Sequence, residues 1–307
     1  MTDKLHLSVS PHVHSGRSTT KIMLDVIIAL IPTTIAGCVI FGLRSLAVIA
    51  TCVITSVLCE FLFNLIVKKK QTVTDLSAVV TGLLLALNLP ANIPLWQGAV
   101  GSAFAIIIVK CLFGGIGKNL VNPAITARVM MVISFGAMTA SAFPVDGISG
   151  ATPLVVLAGG ESLTLRTLFL GIHGGTIGEV SALALLIGGA YLLIRKVISW
   201  HLPVAFVGFT FLFAFLFGGF DAHFALAHVL SGGLLLGAIF MATDYVTSPS
   251  SPWGKILFGL GAAFLTVVIR FWANYPEGVS FAILLMNIVT PYIENLTPRK
   301  LFGGKKL

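Results

Sequence analysis

"IPLWQGAVGSAFAIIIVKCLFGG", residues 93–115, and "SPWGKILFGLGAAFLTVVIRFWAN", residues 251–274, follow one pattern. A proline and a tryptophan open each stretch, a glycine-rich apolar run follows, and each run carries one cation near its end, Lys110 or Arg270. Upstream, "TGLLLALNLP" at 81–90 resembles "SGGLLLGAIF" at 231–240. The same order holds over two apolar runs and the loop that joins them, which is how an internal structural repeat shows itself in a membrane chain.

The composition agrees with a membrane setting. Of the 307 residues, 57% are hydrophobic and 10% charged, with a mean hydropathy of +1.02, whereas soluble domains are roughly 25% charged. Ten apolar spans follow, near 22–42, 45–67, 73–89, 95–113, 123–138, 179–197, 203–219, 225–242, 254–273 and 278–295. Some sit close to the ~17-residue lower limit for crossing a bilayer. Backbone groups inside lipid must be paired, so helices are expected. Pro32, Pro123 and Pro291 fall inside or beside spans, where they kink or break helices. The first copy of the repeat occupies spans three and four, and the second occupies spans eight and nine. The offset is odd, so the copies cross in opposite directions. The expected fold is an all-α polytopic membrane protein of about ten helices in two inverted five-helix repeats. Its expected parts are a cytoplasmic N-terminal segment 1–21, a first repeat 22–138, an extracytoplasmic loop 139–178, a second repeat 179–295 and a basic cytoplasmic tail 296–307.

The net charge of +8 is explained by topology rather than by nucleic acid. With the N-terminus inside, the cytoplasmic loops and ends hold Lys4, Arg17, Lys21, Lys68, Lys69, Lys70, Lys118, Arg128, Arg195, Lys196, Lys255, Arg299, Lys300, Lys305 and Lys306. The other side receives Arg44, Arg166 and Arg270, together with Asp146, Glu161, Asp221 and Glu277. Both termini are therefore expected in the cytoplasm, in a bacterial or archaeal inner membrane. The first 20 residues are polar and lack a small-residue cleavage site, so no cleavable signal is expected.

Familiar catalytic signatures are missing: there is no phosphate-binding glycine loop, dinucleotide fingerprint, zinc-protease helix or nucleophile elbow. Cys38, Cys52, Cys59 and Cys111 lie in apolar runs without C-x-x-C spacing and read as small buried hydrophobes. His6, His12 and His14 are loosely spaced with no completing acid or thiolate, so no metal is expected. His173, His201, His223 and His228 read as interfacial. A charge within a span costs roughly 2.5–3.5 kcal/mol on insertion scales, so Asp25, Glu60, Lys110 and Arg270 call for a reason. Asp25 and Arg270 are expected near helix ends, in reach of water. Glu60 and Lys110 lie deeper, either as a buried ion pair or as part of a cation path, for which Asp25, Glu60 and Lys110 are the candidates. Symmetry pairs the loop holding Asn119 and Asn122 with an external one, and places it on the same side as "MATDYVTSPSSPWGK" at 241–255.

Between two apolar runs lies "FPVDGISGATPLVVLAGGE", residues 143–161. Its Asp, Gly, Ser and Pro are turn formers. Its core, Asp146-Gly-Ile-Ser149-Gly150-Ala151-Thr152, resembles the flavinylation site of a family of related membrane subunits. That family is shared by the D subunit of the Rnf ion-translocating electron-transport complex and the B subunit of the Na⁺-translocating NADH:quinone oxidoreductase. "SPHVHSGRSTTKIMLDVIIALIP" at 10–32, "GGIGKNLVNPAITARVMM" at 114–131, "FMATDYVTSP" at 240–249 and "PEGVSFAILLMN" at 276–287 are similar to the family in the same order. The short N-terminal region resembles the Rnf branch.

The resemblance implies a urea-transporter-like fold and a membrane electron-transfer subunit coupling ferredoxin and NAD to Na⁺ or H⁺ movement. It further implies FMN joined by a phosphoester to Thr152, with Asp146, Ser149, Gly150 and Ala151 as the motif read by a dedicated flavin transferase. A non-covalent riboflavin is implied too, for which Asn119, Asn122, Thr243 and Asp244 are the candidates; the same side chains suit caps of broken helices. Ferredoxin and NAD sites would then lie on the other subunits of the complex. A urea-transporter-like solute permease is the alternative that inverted repeats alone also allow.

Overall fold

The computed structural model describes residues 18–135, 153–159, 164–171, 173–273 and 278–298. Among them every regular element is helical. α1, Thr19–Phe41, and α2, Leu43–Ile66, meet at Gly42, whose φ of +72° is open to a residue without a Cβ. A 3₁₀ turn, Val73–Asp75, leads into α3, Ser77–Leu87; α4, Leu95–Cys111, and α5, Pro123–Ser134, complete the first half. The second half contains α8, Ala182–Ile194, α9, His201–Phe217, α10, Ala222–Leu230, α11, Leu234–Met241, α12, Pro252–Trp272, and α13, Val279–Leu296.

All ten apolar stretches are thus helical, but unequally long. By length and composition α1, α2, α12 and α13 suffice to cross a bilayer, and α10 with α11, bent by 64°, adds a fifth if the pair is one span. The other five are shorter. The 11 residues of α3 extend about 16 Å, half of a hydrocarbon core ~30 Å thick. Segment 139–178 is not all loop. It holds α6, Pro153–Ala158, and α7, Leu165–Leu170. These two turns of helix exist because Leu157 and Leu168 bury against Ala227 of α10.

Side-chain distribution in α2 identifies the solvent. Its buried face carries Ser45, Ser56, Glu60 and Asn64 among Val48, Ile49 and Cys52. Its outer face shows Leu58, Leu62 and Leu65 at 50–58% exposure. Apolar outside and polar inside is the arrangement that lipid favours, and the chain is a multi-pass membrane protein.

Packing repeats between the halves. α2 lies against α3 and α4 as α9 lies against the bent α10–α11 pair and α12, and α5 packs on α4 as α13 packs on α12. Across the halves, α1 meets α8 and α5 meets α13. In both of these helix pairs, positional equivalents face each other. Glycines let them approach: a Cβ on Gly188 of α8 would overlap the Ala29 carbonyl oxygen of α1, and one on Gly37 would lie 2.5 Å from the Ile177 oxygen.

Candidate cofactor cavity and buried ion pair

The site grows from helix ends that lack backbone partners. Asn122 caps α5: its Oδ1 accepts from the N–H of Ala124 at 3.0 Å and of Ile125 at 3.3 Å, ahead of Pro123 at the first helical position. Its Nδ2 donates 3.2 Å across the halves to the Met241 oxygen at the end of α11. Thr243 Oγ1 donates to the Ile239 oxygen at 2.6 Å. Asp244 accepts from Thr247 Oγ1 at 3.2 Å and from the Val246 N–H at 3.5 Å. Asn119 donates to the Val121 oxygen at 3.1 Å. Thr290 of α13 holds the Thr247 oxygen at 2.9 Å.

Asn119, Asn122, Thr243 and Asp244 border a cavity of about 280 Å³ walled by both halves. Ile22, Met23 and Val26 of α1, Val80 and Leu84 of α3, Leu192 of α8 and Phe240 of α11 form apolar walls. Ser77, Thr81, Lys110, Asn119, Asn122, Thr243 and Asp244 supply the polar atoms. Burial pushes the Asp244 carboxyl above the ordinary carboxylate range, and its bonds from Val246 and Thr247 offset part of that rise. All four residues singled out for a ring ligand therefore line one space. The capping role holds for Asn122, whose amide is occupied at both ends.

Lys110 lies in a π-helical stretch of α4, where the Leu112 N–H bonds five residues back to Ile107 at 3.0 Å. Its Nζ donates to both Glu60 oxygens at 3.0 Å and to Ser77 Oγ at 2.5 Å. Ser77 in turn donates to Asp75, and Thr72 Oγ1 donates to Glu60 Oε1 at 2.7 Å. Lys110 and Glu60 side chains are 3% and 2% exposed. The deep charges of the first half are thus one another's partners, and the lysine faces the cavity.

The other sequence candidates lie elsewhere. Asp25 pairs with Arg195 at 3.3 Å and accepts from Tyr191 at 3.0 Å, joining α1 to α8 rather than to Glu60. Arg270, expected in reach of water, is instead buried, at 9% exposure. It donates to the oxygens of His228 at 2.6 Å and Ser231 at 3.0 Å, carbonyls that the end of α10 leaves unpaired. His228 is likewise not interfacial: it is buried, with the Phe224 ring 4.5 Å and the Phe271 ring 5.3 Å away. Asp146, Ser149, Gly150, Ala151 and Thr152 lie outside the described residues. The sequence reading passed over Ser77, Asp75 and Thr72, as well as Glu179, a buried acid that accepts from Thr176 Oγ1 at 3.0 Å. Short hydroxyl side chains at helix starts carry no sequence signal that separates ion-pair partners from ordinary caps.

A two-half helical membrane fold with a mixed polar and apolar cavity between its halves defines the class: a polytopic integral-membrane protein with an internal cavity on the seam of the bundle. The family model of the NQR2, RnfD, RnfE family matches residues 6–303. Over 311 residues, 99% of this chain and 96% of the relative, the chain is 47% identical to the D subunit of the Na(+)-translocating ferredoxin:NAD(+) oxidoreductase complex of Acetobacterium woodii. It is 41% identical to the D subunit of the proton-translocating ferredoxin:NAD(+) oxidoreductase complex of Clostridium ljungdahlii, over 98% of this chain and 96% of that one. It is 38% identical to the D subunit of the ion-translocating oxidoreductase complex of Stutzerimonas stutzeri, over 93% and 92% of the two chains. The chain belongs to the NQR2, RnfD, RnfE family.

Proposed function

We propose that this chain is the membrane electron-transfer subunit of an Rnf-type ion-translocating oxidoreductase complex, with FMN on Thr152 and riboflavin in the cavity between its halves. The observation that carries the reading is near-full-length identity of 47% and 41% to two relatives named as D subunits of ferredoxin:NAD(+) oxidoreductase complexes. One of those relatives is named for Na⁺ and the other for protons, so likeness at this level spans both ions. The Asp146-x-x-Ser149-Gly150-Ala151-Thr152 motif supports covalent FMN, installed by a flavin transferase. A simple permease has no use for such a motif.

Further support comes from the residues that follow the motif. α6 starts at Pro153, and Leu154 is buried beside Gly232 at the α10–α11 break, so the chain is anchored to the helical body two residues past the acceptor. The charge bias of the loops supports cytoplasmic termini and an extracytoplasmic Thr152. The cavity fits riboflavin by its donor set. Apolar walls suit a flat ring, and the Asn119 amide, the Thr81 hydroxyl oxygen and the Asp244 carboxyl put polar atoms along the cavity for its polar edge. Bound flavins supply one-electron chemistry; the chain holds, orients and tunes them. Partner subunits would bring the ferredoxin and NAD sites.

The reading is tested by expressing the full chain with its flavin transferase and examining the denatured gel band for flavin fluorescence. A fluorescent wild-type band that turns dark in Thr152→Val is expected. A dark wild-type band overturns the covalent-flavin reading, and a fluorescent variant overturns the choice of Thr152.

A further inference from the structure

The geometry points to the Glu60–Lys110 pair as the charge setting of the cavity: the Lys110 ammonium fixes the reduction potential of the ring bound there, and Glu60 is the positioning residue that offsets part of that charge. This inference rests on the cavity being a flavin site.

Lys110 lines the cavity, whereas Glu60 stands behind it, off the wall. Two of the three ammonium donors are held by Glu60 oxygens at 3.0 Å, and one by Ser77 Oγ at 2.5 Å. With every donor used, the charge cannot swing away. Ser77 is fixed in turn by Asp75, to which both its hydroxyl and its N–H donate. The pair is therefore a dipole with its positive end on the cavity side. Among the described residues that line the cavity, Lys110 is the one cation and Asp244 the one carboxylate.

Stability alone does not account for such a pair, since replacing a buried ion pair with apolar residues is often neutral or stabilising. A ring that accepts one electron from a reduced partner, which is oxidised in the same step, gains one negative charge unless a proton follows. In a weakly polarisable surround a fixed ammonium favours that state over the oxidised one. Removing the counter-charge at Glu60 should strengthen the effect, and removing both charges should abolish it.

The full chain, made without the flavin transferase and loaded with riboflavin, provides the measurement. Its bound flavin is titrated spectroelectrochemically in wild type, Glu60→Gln and the double variant Glu60→Gln/Lys110→Met. The double variant leaves no unpaired buried ion, so it guards against a folding failure. Glu60→Gln is expected to raise the reduced-to-oxidised ratio at fixed potential about tenfold, a midpoint shift of about +59 mV for one electron. The double variant is expected to fall to or below the wild-type midpoint. Bound flavin with the same midpoint in all three proteins overturns the inference and leaves the cavity reading intact. A wild-type chain that retains no riboflavin overturns the cavity reading, and the inference with it.

Discussion

Asp244 shows how one side chain ties the site to pH. It follows α11 in the 242–251 loop, and burial raises its pKa above the ordinary value of 3.8. The folded chain therefore keeps this proton longer than the unfolded chain does. Below the unfolded value the group costs nothing. As pH rises through the folded value, the folded state must accept a desolvated carboxylate, and stability falls. Asp244→Asn keeps the shape and removes the titration. Thermal unfolding in detergent should show the wild type losing ground to Asp244→Asn as pH rises from about 4 toward neutrality. Parallel curves would remove Asp244 as the cause. The residue itself was legible in the sequence, since a polar cluster beside apolar spans draws attention. Its raised pKa was not, because desolvation depends on what packs around it.

The α10–α11 break is set at the scale of elements. Gly232 has φ +70°, and a Cβ there would lie 2.6 Å from Leu154 Cδ1 and 2.8 Å from Arg270 Nη2. Gly232→Ala should cost about 1–2 kcal/mol from backbone strain alone, with the Leu154 contact adding to it. Gly208 in α9 is a matched control, as a Cβ there meets nothing within 4 Å. Gly208→Ala should be neutral or stabilising by about 0.5–1 kcal/mol. Melting temperatures moving the same way in both variants would contradict this account of the break. Hydropathy showed a continuous run at 225–242 because it weighs side chains and not dihedral angles. The same blindness hid α6 and α7, whose six residues each are too few to display a helical period. Charges were easier. Glu60 and Lys110 stood out by their cost in lipid, and the structure joins them. Arg270 stood out equally, but its partners are backbone oxygens, which every residue has and no sequence advertises.

At the scale of the molecule, the repeat read from two apolar stretches anticipated the packing, because equivalent helices make equivalent contacts. It did not reveal where the halves diverge. The second half has the nine-residue α10 before its break, whereas the first has a 3₁₀ turn ahead of α3. Nor did it reveal that the cavity lies on the seam. α1 brings Ile22, Met23 and Val26 to one wall, and α8 brings Leu192. Those helices are held close by Gly188 against the Ala29 oxygen, a contact that admits no Cβ. A bulky residue there should separate the two halves along the cavity while leaving Thr152 and its motif untouched in sequence. Gly188→Leu is therefore expected to lower the riboflavin retained after purification by roughly tenfold, about 1.4 kcal/mol of binding. Fluorescence of the denatured band, which reports the covalent flavin, should change little. Quantifying acid-extracted flavin beside in-gel fluorescence separates the two. Equal loss of both signals would mean that the substitution disrupts the whole bundle, whereas full retention of extractable flavin would place the ligand away from the α1–α8 seam.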